Sequence, residues 1–164
     1  MDINGDGHLD VISGNIGEES RLYLNNGTSN PFENVQAQLL SPVSLTFAID
    51  AADIDNDGDM DIITGNSNSI NYIYLNNGTS SPFENVIPIQ ITFDEHDTYD
   101  LAIGDIDNNG YVDLVFANYS QPNRIYLNNG DLTSETNWTA MNFSDDVSDT
   151  FAIALHDVDN DGDL

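Results

Sequence analysis

The chain has 164 residues and carries 29 acidic side chains against two basic ones, a net charge of −27. Nucleic acid and anionic membrane surfaces are therefore poor partners, while a hydrophobic fraction of 39% is typical of a folded domain rather than a disordered chain. Because there is no cysteine and no apolar run near the roughly 18 residues of a membrane span, we expect no disulfide, no Cys-ligated metal and no membrane insertion.

The first predicted element is an acidic loop at residues 2–10, and the chain repeats this loop three more times. The loops start at residues 2, 53, 105 and 157, so they recur every 51 or 52 residues. Each loop has Asp or Asn at loop positions 1, 3 and 5 and glycine at position 6, and the first three loops have Asp at position 9. Periods of about this length are typical of propellers, solenoids and repeat arrays.

The second loop shows most clearly why a metal ion is expected. Its carboxylates at Asp53, Asp55, Asp57 and Asp61 would converge. Unit charges about 4 Å apart repel by roughly 1 kcal/mol in water and roughly 4 kcal/mol near a protein surface. Ca²⁺ would offset this repulsion, because it takes six to eight oxygens at about 2.3–2.6 Å and tolerates irregular geometry. The backbone carbonyl of Asp59 at position 7 can add an oxygen. The alternative is an acidic turn that binds nothing.

EF-hand calcium sites begin with the same pattern, but the residues that follow exclude them. An EF-hand needs a bidentate Glu at position 12 and a flanking helix. Position 12 holds Ser13, Thr64 and Phe116 in the three complete loops, and β-forming residues follow each loop. We therefore expect the loops to connect strands.

Four short strands are predicted in each period, and no window of the sequence has convincing helical periodicity. In the second period they are Thr46–Asp53, Met60–Gly65, Asn71–Leu75 and Val86–Phe93, with an Asn-Asn-Gly turn after the third strand. Four strands in a unit of about 50 residues are typical of a four-stranded antiparallel β-propeller blade. A calcium-bound β-helix would need Gly-rich nonapeptides and a much shorter period.

The strand count predicts how the chain divides into blades. We expect a partial blade with strands two to four at 1–43, full blades at 44–95 and 96–148, and the first strand and truncated calcium loop of the next blade at 149–164. Because it opens and ends inside a loop, we interpret the chain as a fragment of a longer one. Propellers typically have four to eight blades, so we expect an open arc rather than a closed ring.

The Asp-x-Asp-x-Asp-Gly-x-x-Asp loop, preceded by a strand such as Phe47–Ile49 and followed by a hydrophobic strand, resembles the FG-GAP/VCBS repeat. This repeat builds the integrin α N-terminal propeller and many bacterial secreted proteins. The resemblance implies an all-β fold, an incomplete arc of a larger propeller with seven blades as the expected number, and an extracellular or cell-surface location. The literal Phe-Gly and Gly-Ala-Pro motifs are absent, which favours a bacterial member.

The resemblance also implies one Ca²⁺ in each loop, up to four in all, with the fourth site incomplete because the sequence ends before position 9. Carried over by position, the metal ligands lie at loop positions 1, 3, 5, 7 and 9. They are Asp2, Asn4, Asp6, His8 and Asp10; Asp53, Asp55, Asp57, Asp59 and Asp61; Asp105, Asp107, Asn109, Tyr111 and Asp113; and Asp157, Asp159, Asp161 and Asp163.

Two functions agree with this pattern. The first is a calcium-stabilised scaffold of a secreted or cell-surface protein, used for adhesion or for binding a protein or carbohydrate, with the remaining blades of the parent chain as further partners. The second is part of a secreted propeller-type polysaccharide lyase or hydrolase whose active site lies outside this sequence. Lyase chemistry needs a base and a cationic clamp for the sugar carboxylate, and two arginines without any lysine do not supply that clamp. We expect the scaffold, with no catalytic residue in this chain.

Overall fold

Antiparallel strands make up the regular structure of the computed structural model, which describes residues 1–91, 95–132 and 138–164. The strands are β1 (Val11–Ser13), β2 (Ile16–Tyr23), β3 (Gln38–Ala52), β4 (Asp61–Asn66), β5 (Tyr72–Tyr74), β6 (Ile89–Gln90), β7 (Thr98–Gly104), β8 (Asp113–Gln121), β9 (Arg124–Leu127), β10 (Thr139–Asn142) and β11 (Ser148–Asp149). One sheet has the order β1-β2-β3-β4-β5-β6, and the other has the order β10-β9-β8-β11 with β7 also paired to β8. The described residues contain no helix that could cross a membrane.

Three blades follow one another along the chain. The first blade has β1, β2 and the first half of β3; the second blade has the second half of β3 with β4, β5 and β6; the third blade has β7, β8, β9 and β10. The acidic loops at 53–61 and 105–113 connect the two innermost strands of the second and third blades. The prediction of an all-β fold built from four-stranded antiparallel blades is confirmed.

The strand β3 differs from the prediction, because it runs without a break from the outer edge of the first blade to the inner edge of the second. Its first half pairs with β2, and its second half, from Thr46 onward, pairs with β4. Pro42 has no N–H to donate, but it lies where the pairing of β2 with β3 shifts register. The missing N–H therefore does not break a regular series of hydrogen bonds between the two strands. The predicted boundary between residues 43 and 44 falls inside this strand, and the blade boundaries stay predictions.

The outermost strand of the second blade is shorter than the predicted Val86–Phe93. It comprises only Ile89–Gln90, and residues 92–94 lie outside the described part of the chain. The residues just before it form a turn in which the N–H of Val86 donates to the carbonyl of Phe83 at 3.3 Å and Asn85 adopts a left-handed φ of 60°. Turn geometry therefore replaces the beginning of the predicted strand.

Apolar side chains pack between neighbouring blades and form two cores. The core between the first and second blades contains Ile3, Leu22, Leu40, Ile62, Tyr74 and Phe83. The core between the second and third blades includes Ile54, Ile73, Ile91, Leu114, Phe116, Tyr126 and Trp138. Among the described strands none joins the third blade to the first, so the blades form the predicted open arc.

The predicted first strand of a further blade does not form. Residues 151–153 belong to no strand, and only Ser148–Asp149 pairs with the end of β8. In the second and third blades the innermost strand pairs with the strand after the acidic loop, whereas the sequence ends within the fourth loop at Leu164. A strand exists through its hydrogen bonds to a neighbour, so this segment stays irregular.

Candidate metal centres

The second acidic loop wraps its backbone around its own carboxylates. Asp53 accepts hydrogen bonds from the N–H groups of Asp57 and Gly58, both at 3.0 Å, and Asp57 accepts one from the N–H of Asp59 at 2.9 Å. Asn56 and Gly58 have φ values of 60° and 97°. These left-handed conformations are favourable mainly for Gly and Asn, which explains the residue types at positions 4 and 6.

The other three loops repeat this geometry. Positive φ values occur at position 4 in Gly5, Asn108 and Asn160 and at position 6 in Gly7, Gly110 and Gly162. The position-6 N–H donates to the position-1 carboxylate at 2.8–3.0 Å in all four loops. The sequence pattern predicts the glycine at position 6, and the Gly or Asn present at position 4 of every copy is the signal for the second left-handed residue.

Carboxylates cluster in three of the loops. Within each cluster, one oxygen from every member lies within 4.8 Å of the others; the clusters are Asp53, Asp55 and Asp57; Asp105, Asp107 and Asp113; and Asp157, Asp159 and Asp161. In the first loop the amide of Asn4 donates to Asp6 at 3.0 Å, and this bond, with the N–H of His8, lowers the pKa of Asp6. In the third loop the amide of Asn109 donates to the carbonyl of Asn128 at 2.7 Å.

The carboxylate at position 9 fastens each complete loop to its blade. Asp61 is buried and accepts hydrogen bonds from the N–H of Ile54 at 2.9 Å and from the N–H of Asn76 at 2.7 Å. Asp10 and Asp113 accept the equivalent pairs at 2.7–2.8 Å. One side chain thus joins the start of the loop to the turn at the far end of the blade.

Burial raises the pKa of several of these carboxyl groups. It raises the pKa of Asp61 to about 7, against the effect of the two backbone hydrogen bonds and with the help of the charges on Asp55 and Asp57. Burial also raises the pKa of Asp113, and burial followed by the charge on Asp57 raises the pKa of Asp55. The charged forms are therefore poorly stabilised by the protein groups around them.

Side chains at position 7 lie against the Asn-Asn-Gly turn. A Cβ atom built on Gly78 would lie 2.9 Å from Oδ2 of Asp59, and one on Gly27 would lie 2.6 Å from Nε2 of His8. Tyr111 covers the equivalent glycine of the third blade in the same way. Because these side chains are directed at the turn, the backbone carbonyl is the part of position 7 that fits the predicted ligand role.

The first asparagine of the Asn-Asn-Gly turn reaches the acidic loop of the preceding blade, a contact that was not predicted from the sequence. The amide of Asn76 donates to the carbonyl of Met60 at 3.1 Å and to that of Ile3 at 2.8 Å. Asn128 donates to the carbonyl of Ile54 at 2.9 Å. The signal was the same residue in each turn, but local turn chemistry already accounts for asparagine there. Each of these loops is therefore tied to the next blade.

A second missed network lies at the other end of the innermost strands. The hydroxyl of Thr46 donates to Oδ1 of Asn66 at 2.8 Å, and that of Thr98 donates to Oδ1 of Asn118 at 2.9 Å. The amide of Asn71 donates to the hydroxyl of Thr98 at 3.0 Å and so connects the second blade to the third. All five side chains are buried. A threonine before each repeated aromatic residue was the available signal.

The donor set of the loops fits a hard divalent cation. The predicted side-chain ligands at positions 1, 3, 5 and 9 are carboxylates or amides, which offer oxygen and no sulfur. Such ligands suit Ca²⁺, Mg²⁺ and Mn²⁺. A cation would also offset the charges of Asp55 and Asp57, which help to raise the pKa of Asp61.

Antiparallel blades of up to four strands, repeated along an open arc with an acidic loop between the two innermost strands of the second and third blades, define a β-propeller-type repeat protein. A family model described as an FG-GAP-like repeat matches residues 2–64, 57–116 and 105–164, so the chain belongs to the FG-GAP-like repeat family. This finding confirms the family resemblance, and FG-GAP repeats are typical of extracellular proteins. A search of curated proteins finds no match to the chain.

Proposed function

We propose that this chain is a calcium-binding propeller region of a secreted or cell-surface protein and acts as a non-enzymatic scaffold for adhesion or for binding a protein or carbohydrate. The observation that carries the proposal is the position of the carboxylate clusters. They occur in three of the four loops, and the loops at 2–10 and 53–61 are each hydrogen-bonded to the following blade through Asn76 or Asn128.

Calcium would stabilise this scaffold by offsetting the repulsion between the clustered carboxylates of each loop. In the second loop Asp53, Asp55 and Asp57 would hold the ion together with the carbonyl of Asp59. The position-9 carboxylate of Asp61 would be stabilised by the nearby positive charge while it keeps its two backbone hydrogen bonds. A rigid loop then presents the Ile54 carbonyl to Asn128 of the next blade in a fixed position. Calcium would thereby fix the angle between blades.

The proposed ligand of the scaffold is a protein or carbohydrate rather than a polyanion. The chain carries a net charge of −27, and even four bound Ca²⁺ would leave it strongly negative. Nucleic acid and anionic surfaces would be repelled at contact distances. A bacterial source, a seven-bladed parent and the role of the remaining blades belong to the same proposal.

Direct titration of the chelated protein with Ca²⁺, followed by calorimetry, tests the proposal. We expect three stronger sites, one for each loop with a position-9 carboxylate, and one weaker site in the fourth loop. Asp105→Asn combined with Asp107→Asn should remove one strong site and leave the others. The pair Asp145→Asn and Asp146→Asn, outside the loops, is the matched control and should remove none. Absence of binding at millimolar free Ca²⁺ by a folded protein would overturn the proposal.

A further inference from the structure

Asparagine is followed directly by glycine at five places in the chain, and this pair of residues is chemically labile. The backbone nitrogen of the glycine can attack the side-chain carbonyl carbon of the asparagine to form a succinimide ring, and the glycine has no Cβ atom to hinder the approach. Which pair reacts in a folded protein depends on what holds each glycine N–H. The five pairs are Asn4-Gly5, Asn26-Gly27, Asn77-Gly78, Asn109-Gly110 and Asn129-Gly130.

In four of the five pairs the glycine N–H donates a hydrogen bond to a side-chain oxygen. The acceptor is the first asparagine in each of the three Asn-Asn-Gly turns, and it is the position-1 carboxylate in the third acidic loop. The donor–acceptor distances are 2.9–3.0 Å. Because the nitrogen has to lose this proton and turn toward the asparagine side chain, the hydrogen bond must break before the ring can form. The fold therefore protects these four pairs.

Gly5 differs, because its N–H has no hydrogen-bond partner in the described part of the chain. It occupies loop position 4, where the N–H groups of Asn56, Asn108 and Asn160 make no hydrogen bond to described residues either. The unbonded N–H is thus a property of the loop geometry and recurs along the chain. Only the first loop combines it with asparagine at position 3 and glycine at position 4. Gly5 is also exposed.

The side chain of Asn4 is held in the same way as the other four asparagines. Its Oδ1 accepts a hydrogen bond from the N–H of Asp6 at 3.2 Å. In the other four pairs the asparagine Oδ1 accepts the equivalent bond, from the N–H two residues further on, at 2.8–3.1 Å. Such a donor stabilises the negative charge that develops on this oxygen during attack. All five pairs share this donor, so they differ in the glycine N–H.

We propose that Asn4 is a site of spontaneous deamidation in the folded protein, and that the reaction changes the charge of the first acidic loop. The nitrogen of Gly5 forms a bond to Cγ of Asn4, the bond from Cγ to Nδ2 breaks, and ammonia leaves with the proton that the Gly5 nitrogen loses. Water then opens the ring. Addition at Cγ breaks the new bond and gives aspartate, whereas addition at the main-chain carbonyl gives isoaspartate. Water is the only other reactant.

The two products would have opposite effects on the loop, and this step rests on the proposed function. Aspartate at position 3 is the residue that the other three loops already have, at Asp55, Asp107 and Asp159. Since the number of charged ligands tunes calcium affinity, this product should bind Ca²⁺ more tightly. Isoaspartate puts an additional carbon into the backbone, beside the N–H of Asp6 that donates to Asp2 at 3.2 Å. That product should lose the loop geometry and bind more weakly.

Peptide mapping by mass spectrometry tests the reaction without reference to a metal. The folded chain and the chain unfolded in urea are incubated at neutral pH without added metal, and the acid formed at each of the five asparagines is measured over time. In the folded chain Asn4 should react at least about tenfold faster than the other four, the rate ratio that corresponds to one hydrogen bond. In urea the five should react alike. Equal rates in the folded chain, or the same preference for Asn4 in urea, would overturn the proposal.

A substitution already present in the other loops tests the role of Gly5. Asparagine at position 4 has φ values of 58–61° in those loops, close to the 69° of Gly5, so Gly5→Asn keeps the loop conformation and adds a Cβ atom beside the attacking nitrogen. The reaction at Asn4 should slow at least about tenfold. Gly17→Asn is the matched control, because Gly17 also has a positive φ, of 74°, and lies outside the loops. It should leave the rate at Asn4 unchanged. An unchanged rate in Gly5→Asn would overturn attack by the Gly5 nitrogen.

Calorimetry with Ca²⁺ tests the consequence for the first loop. Asn4→Asp reproduces the aspartyl product and should bind Ca²⁺ roughly tenfold more tightly at one site than the freshly prepared unmodified chain. Equal affinity in the two proteins would overturn the effect on the loop. Absence of calcium binding by both proteins would overturn the proposed function instead, while the deamidation rates would still decide whether Asn4 is the reactive site.

Discussion

The second and fourth acidic loops share a local structure and differ in how they are attached to the fold. The position-6 N–H donates to the position-1 carboxylate at 3.0 Å in the second loop and at 2.9 Å in the fourth. Both loops gather three carboxylates within 4.8 Å. The second loop ends on Asp61, which is buried and hydrogen-bonded within its own blade, whereas the residues of the fourth loop are mostly exposed.

This difference separates two properties of a metal loop. The clustering of carboxylates is a local property, because left-handed Asn and Gly residues bend a segment of about six residues whether or not a blade follows it. Attachment depends on the position-9 carboxylate and on an asparagine from the next blade, both of which act on the loops at 2–10 and 53–61. We therefore expect changes at attachment residues to affect folding, and changes at cluster residues to affect mainly the metal.

The largest effect is expected from Asp61→Ala. The substitution leaves the N–H groups of Ile54 and Asn76 buried without an acceptor, and each such loss costs about 1–3 kcal/mol. The free energy of unfolding in saturating Ca²⁺ should fall by about 2–6 kcal/mol, measured by urea denaturation. Asp163→Ala in the fourth loop is the comparison and should change it by less than about 0.5 kcal/mol. Similar losses in the free energy of unfolding for the two substitutions would contradict the distinction between attachment residues and cluster residues.

The pH dependence of the calcium-free protein should reveal the same buried carboxylate. Burial raises the pKa of Asp61 from its ordinary value of 3.8 to about 7, so between these pH values the folded state binds the additional proton. Its contribution to stability is fully present below pH 3.8 and is lost as pH rises through about 7, by about 1.4 kcal/mol for each unit of pKa difference. Asp61→Asn should flatten this slope in denaturation curves measured with chelator. If the pH dependence of the free energy of unfolding is unchanged in Asp61→Asn, groups other than Asp61 cause it.

Asn76→Ala should destabilise the chain less than Asp61→Ala, by about 1–3 kcal/mol, because it removes hydrogen bonds to the carbonyls of Ile3 and Met60. Asn25 provides a matched control, since it occupies the same repeat position but donates to Leu9 within its own blade. The Asn25→Ala cost should be smaller by about 1 kcal/mol, the contribution of one hydrogen bond between blades. Equal losses in the free energy of unfolding would show that these asparagines stabilise only their own turns and that the hydrogen bond between blades contributes nothing.

Asp57→Asn should have the smallest effect on the fold and a measurable effect on the metal. The side chain keeps an oxygen at position 5 and loses one charge, as Asn109 does in the third loop. Calorimetry should show roughly tenfold weaker Ca²⁺ binding at one site, about 1.4 kcal/mol. Stability in chelator should stay the same or rise slightly, since one repulsion is removed. A loss of stability in chelator would mean that Asp57 has a structural role without metal.

The sequence predicted features that depend on local conformation and missed those that depend on which elements become neighbours. Gly58 and its equivalents have a left-handed backbone that is readable from residue type alone. The continuous strand β3 was not predicted, because Pro42 argues locally against a strand and only the shifted pairing with β2 accommodates it. Asn76 was assigned to its turn because its partner, Ile3, lies 73 residues away. The metal ligands remain predictions, since clustered carboxylates suit several hard cations and do not identify one of them.

Thermal unfolding of the chelated chain, with Ca²⁺ and then Mg²⁺ added back, tests the proposed calcium scaffold most directly. A ligand that binds only the folded state stabilises it by about 2.7 kcal/mol per site at a hundredfold excess over its dissociation constant. Each kcal/mol raises the melting temperature of a chain of this size by roughly 2–4 °C. We predict a rise of more than about 10 °C with Ca²⁺ and only a few degrees with Mg²⁺, which demands a more regular octahedron. No rise with either ion would contradict the proposal and leave the loops as acidic turns.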